Sequence, residues 1–163
     1  MIEKTLILLK PDAVQRGLMG EIITRFERAG LKIIGMKMVW VDEELAKKHY
    51  REELAKRRGE HVRTKNVNFL KEGPVVAMVL EGINAIEITR KIVGPTEPKS
   101  APPGTIRGDY AHASYQWADE KNVAVKNLIH ASADKNDAEL EINLWFKPEE
   151  MHDYKTVHDV HVR

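Results

Sequence analysis

Cysteine is absent from the 163 residues, which excludes disulfides, thiolate metal sites and cysteine nucleophiles. No apolar run approaches the roughly 18 residues that a membrane-spanning helix needs. The short apolar stretch within Met1 to Leu9 leads into Lys10-Pro11-Asp12 rather than a small-residue cleavage site. It does not read as a signal peptide, and a cytoplasmic protein is expected. Net charge is nearly absent: 26 Lys+Arg face 25 Asp+Glu. That balance argues against a dedicated nucleic-acid binder held by bulk electrostatics. Two nucleotide-binding fingerprints are also missing. There is neither a GxxxxGKS/T phosphate cradle nor a GxGxxG turn before a helix.

What is present reads as one domain, 1–163, long enough to bury a single core. Thr5 to Leu9 is a continuous apolar run, expected as a buried central strand that Pro11 ends. Gly20 to Ala29 places Ile22, Ile23, Phe26 and Ala29 on one helical face, with Gly30 as the stop. Leu31 to Val41 reads as a second strand, and Asp42 caps a helix reaching Leu54. Ala55 to Glu72 is charged and poorly periodic, so loop plus irregular helix is expected. Val75 to Leu80 forms a third strand ended by Gly82, and Ile83, Ile86 and Val93 form a helix face. Thr96 to Thr105 is a proline-rich loop. Val123 to Ile129 is expected as a fourth strand, and Ala138, Ile142, Trp145 and Phe146 share a final helix. This order fits either a parallel doubly wound sheet or a split βαβ arrangement on an antiparallel sheet. Periodicity alone leaves both open.

Among seven histidines, His130 stands apart. It closes an apolar strand just before a helix, a junction where such folds place reactive groups. Glu139 and Glu141 lie in the helix that follows. A carboxylate there accepts one imidazole N–H, fixes the tautomer and leaves the other nitrogen's lone pair for attack. A structural histidine satisfied by the helix start explains the same segment equally well. His49 and His61 fall among charges and are expected on the solvated surface. His112 is uninformative, and His158 and His161 in the tail lack a third ligand. Lys10, Arg90 and Arg107 each stand at an element end beside apolar residues, from where they can converge on a phosphate, with Thr96 and Asn127 adding neutral hydrogen bonds. Lys56, Arg57 and Arg58 form a charge run, read as a solvated face.

These segments together resemble the nucleoside diphosphate kinase family. The resemblance rests on Asn127-Leu128-Ile129-His130-Ala131-Ser132 followed by Glu141-Ile142 and Leu144-Trp145-Phe146. It is carried further by Lys10-Pro11-Asp12-Ala13-Val14, Arg16-Gly17-Leu18, Gly73-Pro74-Val75-Val76-Ala77-Met78 and Pro103-Gly104-Thr105-Ile106-Arg107-Gly108-Asp109. It extends from the first strand to Pro148. It implies an α+β, ferredoxin-like split βαβ fold: a four-stranded antiparallel sheet with helices packed on it. It implies a phosphoprotein enzyme that transfers the terminal phosphate of ATP and other nucleoside triphosphates to nucleoside diphosphates. The route is ping-pong, through a phosphohistidine on His130. Glu141 matches the orienting carboxylate and Ser132 the hydroxyl beside it. Arg90, Thr96 and Arg107 match phosphate-binding positions. Lys10 and Asn127 match positions near the sugar hydroxyls and the transferring phosphate, and Tyr50 the tyrosine close to the histidine. Mg²⁺ is implied, held mainly by nucleotide phosphates and not by protein side chains, as is a homo-hexamer or tetramer.

The chain departs from the family pattern in several places. The Pro-Phe-Phe segment usual after the His-Tyr pair is missing, and counting back from Gly73-Pro74 puts Val62 at the base-stacking position. An insertion near 110–124 carries Tyr115 and Trp117, and a polar tail spans 149–163. Ala131 and Ala133 replace the usual glycine and aspartate. Two rival readings are a nucleotide-binding scaffold without turnover and a single-stranded nucleic-acid binder. The second needs aromatics on exposed strands, and Val75 to Leu80 has none.

Overall fold

The computed structural model describes residues 1–161, so the last two residues of the expected 149–163 tail lie outside the described residues. The strands are β1 (Ile2–Leu9), β2 (Lys32–Trp40), β3 (Pro74–Ile83) and β4 (Ile129–Ala131). Helices α1 (Pro11–Gln15) and α2 (Met19–Arg28) separate the first two strands. Between β2 and β3 run α3 (Glu43–His49), α4 (Glu52–Arg58) and α5 (Glu60–Leu70). After β3 come α6 (Ala85–Val93), α7 (Ile106–Tyr110) and α8 (Tyr115–Glu120), and after β4, α9 (Lys135–Trp145) and α10 (His158–His161).

The sheet order is β2-β3-β1-β4 with every neighbour antiparallel, so the doubly wound alternative is excluded. Both faces are covered, which is why β1 and β3 read as continuous apolar runs rather than alternating ones. Ile7, Leu9, Val76, Met78 and Leu80 face one core with Ile22 and Phe26 of α2 and Val93 of α6. Leu6, Leu8, Val75, Ala77 and Val79 face the other with Ala46 of α3, Val67 and Leu70 of α5, and Ile142 and Trp145 of α9.

The expected fourth strand is misplaced in sequence. Residues 123–127 form a loop, and β4 is only Ile129–Ala131, pairing with Ile7 to Leu9 of β1. The apolar character of 123–125 is used in the cleft wall instead of in a ladder. Ala55 to Glu72, expected as loop plus irregular helix, is two helices meeting at Gly59. Its poor periodicity reflects α4, which buries no residue. Ile83, expected on a helix face, is the last residue of β3. The tail returns to the sheet edge: His152 N donates to Ile34 O (2.7 Å) and Tyr154 Oη to Ile33 O (2.6 Å).

One junction sets where β4 lies. Lys10 N donates to Leu128 O (2.8 Å), and Leu128 N donates to Asp12 Oδ2 (3.0 Å). Leu128 has φ of +71°, a conformation that a branched side chain adopts only when its surroundings enforce it. Removing the carboxylate in Asp12→Ala leaves a buried N–H without an acceptor, a loss of about 1–3 kcal/mol. Urea unfolding should show that loss, whereas Asp12→Asn, which keeps an acceptor oxygen, should lose less than half as much.

Candidate active site

The position of His130 follows from β4. Ile129 and Ala131 point into the first core, so His130 points to the opposite face, towards α9 and α3. Asp134 accepts from Asp137 N and starts α9 there, which brings Glu141 two turns later beneath the imidazole. Nε2–H of His130 donates to Glu141 Oε2 at 2.9 Å. Ser132 Oγ donates to the same oxygen at 2.6 Å and accepts from Leu6 N at 3.2 Å, tying the carboxylate to β1. Burial would raise the Glu141 pKa, but the His130 charge, the two hydrogen bonds and nearby Arg51 outweigh it and hold the carboxyl below its ordinary value. An ionised carboxylate only accepts, so the proton sits on Nε2 and Nδ1 of neutral His130 keeps its lone pair. Glu139, the other candidate carboxylate, is exposed and takes no part.

His130 opens onto a cleft of about 960 Å³. Nine of the ten residues singled out from sequence line it: Lys10, Tyr50, Val62, Arg90, Thr96, Arg107, Asn127, His130 and Glu141. Ser132 is the tenth, buried behind Glu141. Lys10 stands between the end of β1 at Leu9 and the break at Pro11. Its Nζ donates to Asn127 Oδ1 (2.9 Å), and Asn127 Nδ2 donates to Thr96 O (2.8 Å), so three segments meet at one wall. Burial, and then Arg107, lower the Lys10 pKa from 10.5 to about 8, against the opposing pull of Asp12.

Arg107 sits on α7, which Thr105 caps by accepting from Gly108 N (3.0 Å). Its guanidinium donates to Asn127 O (3.3 Å), Gly94 O (2.9 Å) and Ile129 O (2.6 Å). Three of the five N–H groups of an arginine are thus used to brace β4 and the loop before it, leaving two for a ligand. Burial lowers its pKa to about 10. Gly94 closes α6 with φ of +87°, and a Cβ there would lie 2.7 Å from Thr105 Oγ1, so glycine alone fits. Arg90 is exposed at the rim.

His49, expected on the surface, is instead buried at the site. Its ring meets those of His130 at 4.5 Å, Tyr50 at 4.8 Å and Trp145 at 5.6 Å, all edge-on. Burial, then the charges of His130, Lys10 and Arg51, push its pKa well below the ordinary value, and Trp145 Nε1 donates to its Nδ1 (3.3 Å). It is therefore a neutral wall behind the His130 ring. The signal was available in the sequence: Ala46 and His49 lie three apart on the inward stripe of α3. Burial also raises the Tyr50 pKa, and its hydroxyl has no protein partner. The Lys56–Arg58 run is exposed, as expected, but Arg57 and Arg58 turn to the cleft.

Residues 3–151 match the family model for nucleoside diphosphate kinase. The chain belongs to the nucleoside diphosphate kinase family. It is 52% identical to the nucleoside diphosphate kinase of Pyrococcus furiosus over 94% of this chain and 88% of that one. A Borrelia burgdorferi nucleoside-diphosphate kinase, solved as a transition-state mimic with bound vanadate and ADP, superposes with a TM-score of 0.97 at 46% identity, covering 99% and 96% of the two chains. A Halobacterium salinarum nucleoside diphosphate kinase in complex with CDP has a TM-score of 0.83 at 40% identity, covering 98% and 97%. The fold is accordingly the ferredoxin-like α+β one. Like its family, this chain is a phosphotransferase that works through a phosphohistidine, with nucleotides as substrates and a divalent metal in attendance.

The cleft suits a metal carried in on the substrate. Of the carboxylates lining it, Glu141 is engaged by His130 and Ser132, Asp137 by Arg51, Asp119 faces Lys65 at 3.8 Å, and Glu53 is exposed. Among the described residues the one group of three close ligands is His49, His130 and Glu141, which is nitrogen-rich and unlike an oxygen cage for a hard cation.

The buried Lys10 ammonium costs stability wherever it is charged. Its folded pKa lies below the unfolded value, so the cost is present in full below about pH 8 and disappears as pH rises towards 10.5. Lys10→Met should therefore raise the nucleotide-free Tm at pH 7 by ~5 °C while abolishing most activity. In thermal melts at pH 10 the gain should largely vanish.

Proposed function

We propose that His130 is the phosphorylated residue and that the cleft around it transfers the terminal phosphate from ATP and other nucleoside triphosphates to nucleoside diphosphates. The observation that carries this reading is the 2.9 Å bond from His130 Nε2–H to a carboxylate, inside a cleft lined by Lys10, Arg90 and Arg107.

Nδ1 attacks the γ-phosphorus with its lone pair, the bond to the β–γ bridging oxygen breaks, and the nucleoside diphosphate leaves with that oxygen. Glu141 stabilises the imidazolium character that develops, since it holds the Nε2 proton throughout. The second half-reaction runs backwards with a different diphosphate as acceptor. Little covalent chemistry is asked of the protein beyond this; positioning and charge neutralisation do the rest. Arg90, Thr96 and the two remaining donors of Arg107 bind phosphate oxygens. Lys10 and Asn127 serve the sugar hydroxyls and the transferring phosphate, and Tyr50 offers its unpartnered hydroxyl. Mg²⁺, when bound, would be held mainly by the nucleotide phosphates rather than by protein side chains, and would supply charge neutralisation there. Val62 meets the base without an aromatic face and so grips it less well than a stacked ring would.

The chain is further proposed to act in the cytoplasm as a homo-hexamer or tetramer. Among the described residues no helix is long and apolar enough to cross a membrane. The edge strand β2 presents Met36, Met38 and Trp40 to solvent, a stripe that a second copy would cover.

Incubation with γ-labelled ATP should leave an acid-labile, base-stable label on the protein, absent from His130→Ala. An unlabelled wild type would favour a nucleotide-binding scaffold, and a label surviving in His130→Ala would move the nucleophile. Arg107→Ala should lower the steady-state transfer rate ~10²-fold or more. A change under twofold contradicts its assignment.

A further inference from the structure

Helix α4 is a wall of the cleft that rests on α5. None of its residues is buried, and Gly59 joins it to α5 with φ of +94°. Elements with so few buried contacts are held by what they touch at their ends. The N-terminal end is held by the ion pair between Arg51 and Asp137. The C-terminal end is held across the cleft: the guanidinium of Arg58 lies over the ring of Tyr115, 4.8 Å from its centroid. Tyr115 opens α8 in the inserted segment. Its backbone N–H donates to Glu97 Oε1 (2.8 Å), which secures it to the loop that carries Thr96. A second contact spans the same gap, Lys65 of α5 to Asp119 of α8 at 3.8 Å.

The pair is placed for more than bracing. Both residues line the cleft, whereas neighbouring Lys56 does not. Lys10, Arg90 and Arg107 line the same cleft as this pair. Among the described residues Arg58 has no carboxylate partner. A guanidinium stacks through its face and hydrogen-bonds through its edge. Stacking on Tyr115 thus orients Arg58 while leaving its N–H fork for planar recognition of phosphate oxygens.

We propose that Arg58, stacked on Tyr115, is a nucleotide-binding residue that clasps the polyphosphate from the α4 side, opposite Lys10, Arg90 and Arg107. This rests on the reading that the nucleotide occupies this cleft. The insertion near 110–124 is then the platform for an arginine that the α4 charge run supplies.

The test is ADP binding to the unphosphorylated protein, measured by calorimetry with Mg²⁺ present, beside adenosine titrated by competition. Arg58→Ala should weaken ADP about tenfold and leave adenosine within twofold. Tyr115→Leu should weaken ADP ~3- to 10-fold, and Tyr115→Phe, which keeps the ring, should stay within twofold. The double variant Arg58→Ala with Tyr115→Leu should be no weaker than about Arg58→Ala alone, since one acts through the other. Lys56→Ala, which removes the same charge from the same helix outside the cleft, should match the wild type. Arg58→Ala within twofold on ADP, equal losses for ADP and adenosine, or fully additive losses would each overturn the clasp. A wild type that binds no ADP would instead sink the cleft reading beneath it. Circular-dichroism melts confirm that each variant is folded.

Discussion

The hydrogen bond between His130 and Glu141 is the constraint on which the site depends. A neutral imidazole has one proton and one lone pair, and which nitrogen carries which is decided by its partner. Here the partner is an ionised carboxylate held by Ser132, and Ser132 is held by the backbone of β1. The chemistry at Nδ1 is therefore anchored to the central strand of the sheet. The anchoring is cooperative with the fold: β4 is three residues long and pairs with β1 alone, so its place is set by Asp12, Lys10 and Arg107 as much as by its own ladder.

That arrangement is costly in the absence of substrate. Lys10 and Arg107 are buried cations whose pKa values burial has lowered, and His49, Tyr50 and Asp12 each have a buried polar atom without a protein partner. Away from this region the two cores follow ordinary rules of alternation and burial. Local rules break where the ligand is awaited, as expected of a site whose polar groups are matched to a bound state rather than to the empty one. Arg107 shows both sides at once: three donors support β4, and those that remain face the cleft.

The departures from the family pattern fall together in space. The missing Pro-Phe-Phe segment and the insertion near 110–124 are some 50 residues apart in the chain, yet α4 and α8 face each other across one cleft. The two walls meet through Arg58 and Tyr115. The remaining departures, Ala131 and Ala133, line the same cleft beside His130.

Much was determined by the sequence itself. The apolar runs of β1 and β3, the break at Pro11, the cap at Asp42 and the order of the elements were all legible, because these depend on local stereochemistry and on burial of both sheet faces. So was the candidate set from Lys10 to Glu141, because its residue types recur in separate motifs in a fixed order. Periodicity, the same in either sheet, left the pairing open; the family resemblance implied the antiparallel one, and tertiary structure shows it. Tertiary structure decided that 123–127 is a cleft wall and not a strand, because a positive φ at Leu128 and the Asp12 bond override apolar propensity. It also decided the fates of His49 and Arg58, both charged-looking in sequence. One is a neutral buried wall and the other a stacked cation, because the partners that make them so, Trp145 and Tyr115, lie 96 and 57 residues away in the chain and are brought near only by packing.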